Sequence, residues 1–250
     1  MKEVFDMKKP KIVGLIPARL NSSRFPGKPL AKIAGKPMIS WVYNQAKKVE
    51  ALDEIYVVTE DEPLAIRCKE LGIPVWLGHK KATTGAEALS FAAEELEGDI
   101  FLNIQGDEPL IDPRAIKQII EVMLEDDEVY YAGLRSRIET CEEFMDRNVV
   151  KVVTDNDGYA LYFSRSPIPY TYSPGKAFRV LGLYGYRADF LRQFSNYLKS
   201  ELEMAECGVE MLRMMEKGYR IKLVTTTYTT IGVDLPEHIA LVEELLKNNK

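Results

Sequence analysis

The stretch Ile12-Val-Gly-Leu-Ile-Pro-Ala-Arg-Leu-Asn-Ser-Ser-Arg-Phe-Pro-Gly-Lys-Pro-Leu30 decides how the chain is read. Ile12 to Ile16 is an uninterrupted apolar run of strand length, and the residues after it are punctuated by Pro and Gly. The pair reads as a buried strand opening into a loop. Arg19, Arg24 and Lys28 stand in that loop. Cations just past the carboxyl end of a first strand occupy the place where α/β sheets hold their ligands, and a cluster of them suits a polyphosphate. A solvated basic loop is the alternative wherever charge is merely scattered. Neither familiar phosphate cradle is present: there is no G-x-G-x-x-G, and Gly27-Lys28 is followed by Pro29 rather than Ser or Thr. A nicotinamide-dependent enzyme and a P-loop NTPase are both disfavoured.

Working outward, Glu54–Thr59, Ile73–Leu77 and Ile100–Ile104 are further short apolar runs, with helical patterns between most of them. Ile39, Val42, Tyr43 and Ala46 share one helical face. So do Ala86, Leu89, Ala93 and Leu96, and Ile116, Ile119, Ile120 and Met123; all three stripes read as core. Strand and helix in alternation predict an α/β fold, three layers about a mostly parallel central sheet with right-handed crossovers. The second half reads differently. Val149–Thr154 and Tyr159–Ser164 flank Asp155-Asn-Asp-Gly158, a hairpin turn sequence. A strand at Leu181–Tyr186, helices near Arg187–Tyr197 and Met204–Lys217, a β-rich stretch at Ile221–Thr227 and a last helix from Pro236 follow. The whole of 1–250 is expected to form a single domain with a smaller β-hairpin/α elaboration around 149–186. Pro167–Lys176, rich in Pro and Tyr, reads as an irregular excursion suited to a lid or a subunit contact.

Composition narrows the function. With 250 residues, 46% of them hydrophobic, the chain can bury a sizeable core. A formal net charge of -5 argues against broad binding to nucleic acid or to an anionic membrane, both of which need positive potential. Cys68, Cys141 and Cys207 are far apart, with no C-x-x-C pair, and read as buried small hydrophobes. The start mixes both charge signs and lacks the apolar core of a signal peptide, and no apolar run is long enough to span a bilayer. A cytoplasmic enzyme is expected.

Two acidic segments complete the pattern. Asn103-Ile-Gln-Gly-Asp-Glu-Pro109 stands at the end of an apolar run, so in a parallel sheet Asp107 emerges at the same edge as the basic loop. A carboxylate there suits Mg²⁺, which takes one or two carboxylates and shares phosphate oxygens; the alternative is an Asp capping the next helix or turn. Ile231-Gly-Val-Asp-Leu-Pro236 precedes the last helix, and Asp234 is either its cap or a second metal ligand. His79 and His238 read as surface or structural histidines.

Together these segments, with Gly35-Lys-Pro-Met-Ile39, Tyr159-Ala-Leu-Tyr-Phe-Ser-Arg165 and Leu183-Tyr-Gly-Tyr-Arg187, closely resemble the 3-deoxy-manno-octulosonate (Kdo) cytidylyltransferases, the CMP-Kdo synthetases, in order from Ile12 to about His238. The resemblance implies a nucleotidyltransferase that uses CTP and Mg²⁺ to make a CMP-sugar and pyrophosphate, a homodimer whose partners are CTP and a small acidic sugar. Carried over by position, Pro17, Ala18, Arg19, Arg24, Lys28, Thr84, Gly85 and Gln105 would contact the nucleotide, with Arg19, Lys28 and Asp107 carrying the chemistry. Asp107 and Asp234 would hold Mg²⁺. Gln105, Arg165, Tyr184 and Glu210 would meet the acceptor.

The resemblance frays in places. Where the family carries His-x-Ser-Gly-Thr-Glu-Arg this chain has Ala82-Thr-Thr-Gly-Ala-Glu-Ala88, keeping Gly85 and Glu87; Val180 replaces a sugar-facing His, and Met211 the Gln of a Glu-Gln pair. These departures lie toward the acceptor, so an amino-modified octulosonate, a sialate-like sugar or a phosphonate is an alternative acceptor. A nucleotide-binding protein without turnover is the reading from another class.

Overall fold

In the computed structural model, which describes residues 9–171, 173–228 and 231–248, the run from Ile12 is an interior strand of the main sheet. The strands are β1 (Ile12–Pro17), β2 (Lys32–Ile33), β3 (Lys36–Pro37), β4 (Glu54–Thr59), β5 (Val75–Leu77), β6 (Ile100–Asn103), β7 (Tyr131–Arg137), β8 (Lys151–Thr154), β9 (Ala160–Ser164), β10 (Phe178–Arg187) and β11 (Lys222–Thr225). The helices are α1 (Met38–Ala46), α2 (Glu62–Glu70), α3 (Gly85–Glu95), α4 (Pro113–Glu125), α5 (Cys141–Met145), α6 (Ala188–Phe194), α7 (Glu201–Ala205), α8 (Met211–Glu216) and α9 (His238–Asn248).

The main sheet runs β11-β7-β10-β6-β1-β4-β5. Both neighbours of β1 are parallel to it, Val13 pairing with Glu54 of β4 and with Phe101 of β6. Only β10 on this path runs against its neighbours, antiparallel to β6 and to β7. The alternation of β1 sorts the core into two layers. Ile12 and Ile16 pack with α1, α2 and α4 on one face, while Val13 and Leu15 pack with α3, α6 and α8 on the other. The expected three-layer α/β architecture is therefore present, and all three helical stripes face the core.

The hairpin forms as the Asp155–Gly158 turn implies, with β8 and β9 antiparallel and β8 joined to β10. Two expectations are corrected, and one strand appears that the sequence does not mark. Met204–Lys217 is two short helices, because Cys207 (φ 52°) and Gly208 (φ 86°) adopt the left-handed conformation that ends α7. Strand β7 lies inside the sheet, between β11 and β10, without having an apolar run to announce it: Tyr131–Leu134 is buried and Arg135–Arg137 is not. Of the cysteines only Cys68 is buried, its thiol pushed up to about 11 by burial, whereas Cys141 at the start of α5 and Cys207 in the turn are exposed. Pro167–Lys176 is irregular apart from a single-turn 3₁₀ helix at Pro174–Lys176, with Tyr172 outside the described residues. No helix among the described residues is long and apolar enough to cross a membrane.

Candidate active site

The chain leaves β1 in one direction to build β4 and β5, then returns to place β6 on the other side of β1. That reversal opens a crevice beyond the carboxyl ends of β1 and β6, where open α/β sheets bind ligands. Two loops flank it. The loop after β1 is fixed by Ala18 N–H on the Val58 carbonyl (3.0 Å), Leu20 N–H on the Asp61 carboxylate (2.6 Å) and Gly27 N–H on the Leu20 carbonyl (2.8 Å). Gly27, at φ 72°, then turns the chain into the 3₁₀ segment that begins with Lys28. The loop after β6 packs directly against it. A Cβ on Gly106 would lie 2.7 Å from the Pro17 carbonyl oxygen, so only glycine permits this approach.

A third segment, more than a hundred residues further on, joins them. Val233 N–H donates to the Asp107 carbonyl (2.9 Å), and Val233 is buried with Ile33, Met38 and Val242 of α9. Asp234 N–H donates to Nδ1 of His238 (3.2 Å), which gives that histidine a structural part; His79 is exposed. The Asp234 carboxylate itself is turned to the cations rather than to the helix. Lys28 Nζ lies 2.6 Å from Asp107 Oδ2 and 3.6 Å from Asp234 Oδ1, and Arg24 Nη2 lies 2.9 Å from Asp234 Oδ1. Helix capping falls to Asp112, whose Oδ1 accepts from Arg114 N–H (2.8 Å) at the start of α4.

Asp107 and Asp234 thus face one point, occupied by an ammonium group. The donor set fits a hard divalent cation that completes its shell with phosphate oxygens and water, which is how Mg²⁺ is held. No group of three His, Cys, Asp or Glu side chains suited to a metal occurs among the described residues, so an ion at this point would rely on the pair and on a ligand.

The cleft around this cluster is about 300 Å³. Pro17, Ala18, Arg19, Arg24, Lys28, Thr84, Gly85, Gln105, Asp107 and Asp234 all line it, so every residue assigned to the nucleotide by resemblance is brought together. Arg19 is exposed, with no ion-pair partner among the described residues. The opposite wall is apolar, formed by Val58, Trp76, Ala82, Ala88 and Phe91, with Lys80 held over the Phe91 ring at 4.9 Å. Thr84 caps α3, its hydroxyl accepting from Glu87 N–H (3.3 Å).

A second cavity, also about 300 Å³, lies behind the Gln105–Glu108 turn. Gln105 stands at the partition: a Cβ on Gly182, at the bulge of β10, would lie 2.8 Å from its Cγ. Val149, Val150, Val180, Leu181 and Met211 make the second cavity's apolar wall, and Glu108, Asn148, Arg179 and Tyr184 its polar groups. Burial pushes the Tyr184 phenol well above its ordinary value, keeping it a hydrogen-bond donor. Arg179 and Asn148 were not legible in the sequence; only the pairing of β10 with β7 and β8 carries them here. Arg165 is not among the lining residues. Its guanidinium donates to the carbonyls of Arg147 (2.9 Å), Glu206 (3.0 Å) and Cys207 (3.5 Å). Glu210 also lies outside both linings, half-buried at the start of α8.

A switch-point cleft combining three cations, two carboxylates and an apolar wall is that of an α/β protein handling a nucleoside polyphosphate. The sequence profile described as cytidylyltransferase matches residues 13–221. The 3-deoxy-manno-octulosonate cytidylyltransferase of Geotalea uraniireducens (strain Rf4) is 44% identical over 250 residues, covering 95% of this chain and 99% of the relative. That of Geobacter sulfurreducens is 41% identical, covering 94% and 99%. A solved structure of CMP:2-keto-3-deoxy-manno-octonic acid synthetase complexed with CTP superposes with a TM-score of 0.90 at 36% identity, covering 96% of this chain and all of the other. The 4-diphosphocytidyl-2C-methyl-D-erythritol synthase of Anaerococcus prevotii, 13% identical with a TM-score of 0.65, shares the fold. The chain belongs to the 3-deoxy-manno-octulosonate cytidylyltransferase family.

Proposed function

We propose that the protein transfers CMP from CTP to 3-deoxy-manno-octulosonate, releasing pyrophosphate. The observation that carries this is the convergence of Lys28, Asp107 and Asp234, from three distant parts of the chain, at the mouth of one cleft adjoining a second cavity. In the reaction an acceptor hydroxyl oxygen forms a bond to the α-phosphorus while the bond from that phosphorus to the bridging oxygen breaks. Pyrophosphate departs with the bridging oxygen, and the hydroxyl proton passes to solvent. Charge builds on the phosphoryl oxygens and on the leaving group, so fixed cations lower the barrier without reorganising.

Arg19, Arg24 and Lys28 would take the triphosphate, with Arg19 already exposed in the cleft for it. The apolar wall at Trp76 and Phe91 offers room for the base. Gln105, between the cavities, would orient the acceptor hydroxyl toward the α-phosphorus. Asp107 and Asp234 would hold Mg²⁺, which when bound supplies further charge stabilisation at the phosphates.

Met211 and Val180 favour a second reading of the acceptor alone. Where they face the ligand they offer no hydrogen bond, and an unpaired buried hydroxyl costs about 1 to 3 kcal/mol. An acid less hydroxylated on that side would gain relative to Kdo. Incubation with CTP, Mg²⁺ and a panel of keto acids, amino-modified octulosonates, sialates and phosphonates, followed by mass analysis, separates these readings. A CMP-Kdo product in preference to all others supports the first, a different CMP ester the second, and pyrophosphate from none of them removes the transferase proposal.

A cytoplasmic location, where CTP is made, and a homodimer are part of the same proposal. Leu161 (59% exposed) and Tyr170 (83%) on the second-half elaboration support a subunit contact there, which sedimentation equilibrium would measure.

A further inference from the structure

Behind the cleft wall lies a buried charge network that the transfer chemistry does not use. Arg213 of α8 is wholly buried, and its guanidinium grips Glu203 of α7 with two bonds, Nε to Oε2 and Nη2 to Oε1, both 2.7 Å. The Phe194 ring lies 4.8 Å from it, and Nη1 donates to the Tyr197 carbonyl at 3.2 Å. That same Nη1 is 3.6 Å from Oε1 of Glu87, in the first turn of α3. Glu87 reaches back with its other oxygen to accept from both the N–H and the hydroxyl of Thr83, each at 2.8 Å. The Glu87 backbone N–H also donates to the Thr84 hydroxyl at 3.3 Å. Thr83, the residue anchored by the Glu87 carboxylate, leads directly into Thr84 and Gly85, which line one side of the cleft.

Stability alone does not account for this arrangement. A buried ion pair loses on desolvation much of what it gains by attraction, and well-packed apolar residues of similar volume often serve as well or better. What the network provides is direction. A planar guanidinium held along one edge by both oxygens of Glu203 presents Nη1 to Glu87, and Glu87 converts that into two bonds on a loop residue. We propose that Arg213 is a positioning residue: acting through Glu87, it fixes the Thr83–Gly85 wall of the cleft in the conformation that receives the nucleotide. The inference rests on the reading of the cleft as a CTP site, and it predicts coupling between α8 and that wall although Arg213 touches no substrate.

The test pairs amide hydrogen exchange of the unliganded protein with calorimetric CTP binding, in Arg213→Met and Glu87→Gln. Both variants are expected to accelerate exchange in the peptide spanning residues 82–89 while β1 and β6 keep wild-type protection. Both are expected to weaken CTP about tenfold, a typical cost of removing the support behind a binding group. Arg213→Lys, which keeps the charge and loses the two-pronged grip, should fall between wild type and Arg213→Met. If Arg213→Met does not fold, Glu87→Gln decides, since its side chain is of the same shape and lies at the edge of the network. A lowered melting midpoint with wild-type exchange over 82–89 and wild-type CTP affinity would overturn the inference. If wild-type protein bound no CTP, the cleft assignment would fail instead, and the exchange measurement would still decide whether Arg213 orders this wall.

Discussion

The two cavities on either side of the Gln105–Glu108 turn are of similar size and opposite character. The cleft at the end of β1 gathers Arg19, Arg24, Lys28, Asp107 and Asp234, while the cavity behind it presents five aliphatic or thioether side chains and a few polar groups. Charge is concentrated where a phosphorus centre would react, and shape where an acceptor would be chosen. The difference teaches that reaction type and acceptor preference are carried by separate surfaces, so that substitutions on one side should alter rate and on the other selectivity.

The largest effect expected from breaking this division is that of Asp107→Asn. The change keeps volume and removes charge, and turnover should fall at least about a hundredfold with the melting midpoint little altered. Stopped-flow or endpoint pyrophosphate release measures the first, and thermal unfolding the second. Lys28→Met should lower kcat by a similar order, about a hundredfold, because the ammonium group at the cleft mouth is lost from the developing charge. Near-normal rates in either variant would take the charged cluster out of the chemistry.

On the other side, Met211→Gln and Val180→His are expected to change the ratio of kcat/KM between Kdo and less hydroxylated acids by about tenfold, leaving the KM for CTP near wild type. A CTP effect as large as the acceptor effect would mean that the partition at Gln105 does not separate the two functions. Arg165→Ala should act on neither cavity directly. With its guanidinium on three backbone carbonyls, its loss should lower the midpoint by about 2 to 8 °C, the scale expected for one or two kcal/mol in a chain of this length. The smallest effect is electrostatic. Burial raises the Glu210 carboxyl above its ordinary value, near Glu203 and Glu87, against the opposing pull of its bond to Thr84 and of Arg213. The folded state therefore holds that proton more tightly than the unfolded one, and stability is lost as pH rises through the folded value. Glu210→Gln should raise the midpoint at neutral pH and leave it unchanged below the ordinary carboxylate range.

The first cavity was far more legible in the sequence than the second, for a physical reason. Its parts are contiguous loops directly after strands, so a local apolar run such as Ile12–Ile16 or Ile100–Ile104 fixes where Arg19 and Asp107 emerge. Asp234 was ambiguous because a helix start lies close behind it, and only its ion pairs with Arg24 and Lys28 show that its carboxylate turns into the cleft. The second cavity is made by strand pairing across long separations. Arg179 enters it through β10, which also crosses the half-polar β7 that no apolar run marks. Arg165, read by position as an acceptor contact, shows the limit of local reading: the neighbouring carbonyls that hold its guanidinium become visible only when the α7–α8 turn is folded against β9.

The central claim is that Asp107 and Asp234, remote in the chain, work as one site with the cleft cations around a single CTP. A double-mutant cycle on Mg²⁺-dependent pyrophosphate release, with Asp107→Asn, Asp234→Asn and the combined variant, tests it most directly. The account predicts that each single change removes most of the activity and that the combination is little worse than the more damaging single one. Strictly multiplicative losses, or wild-type release in either single variant, would contradict it.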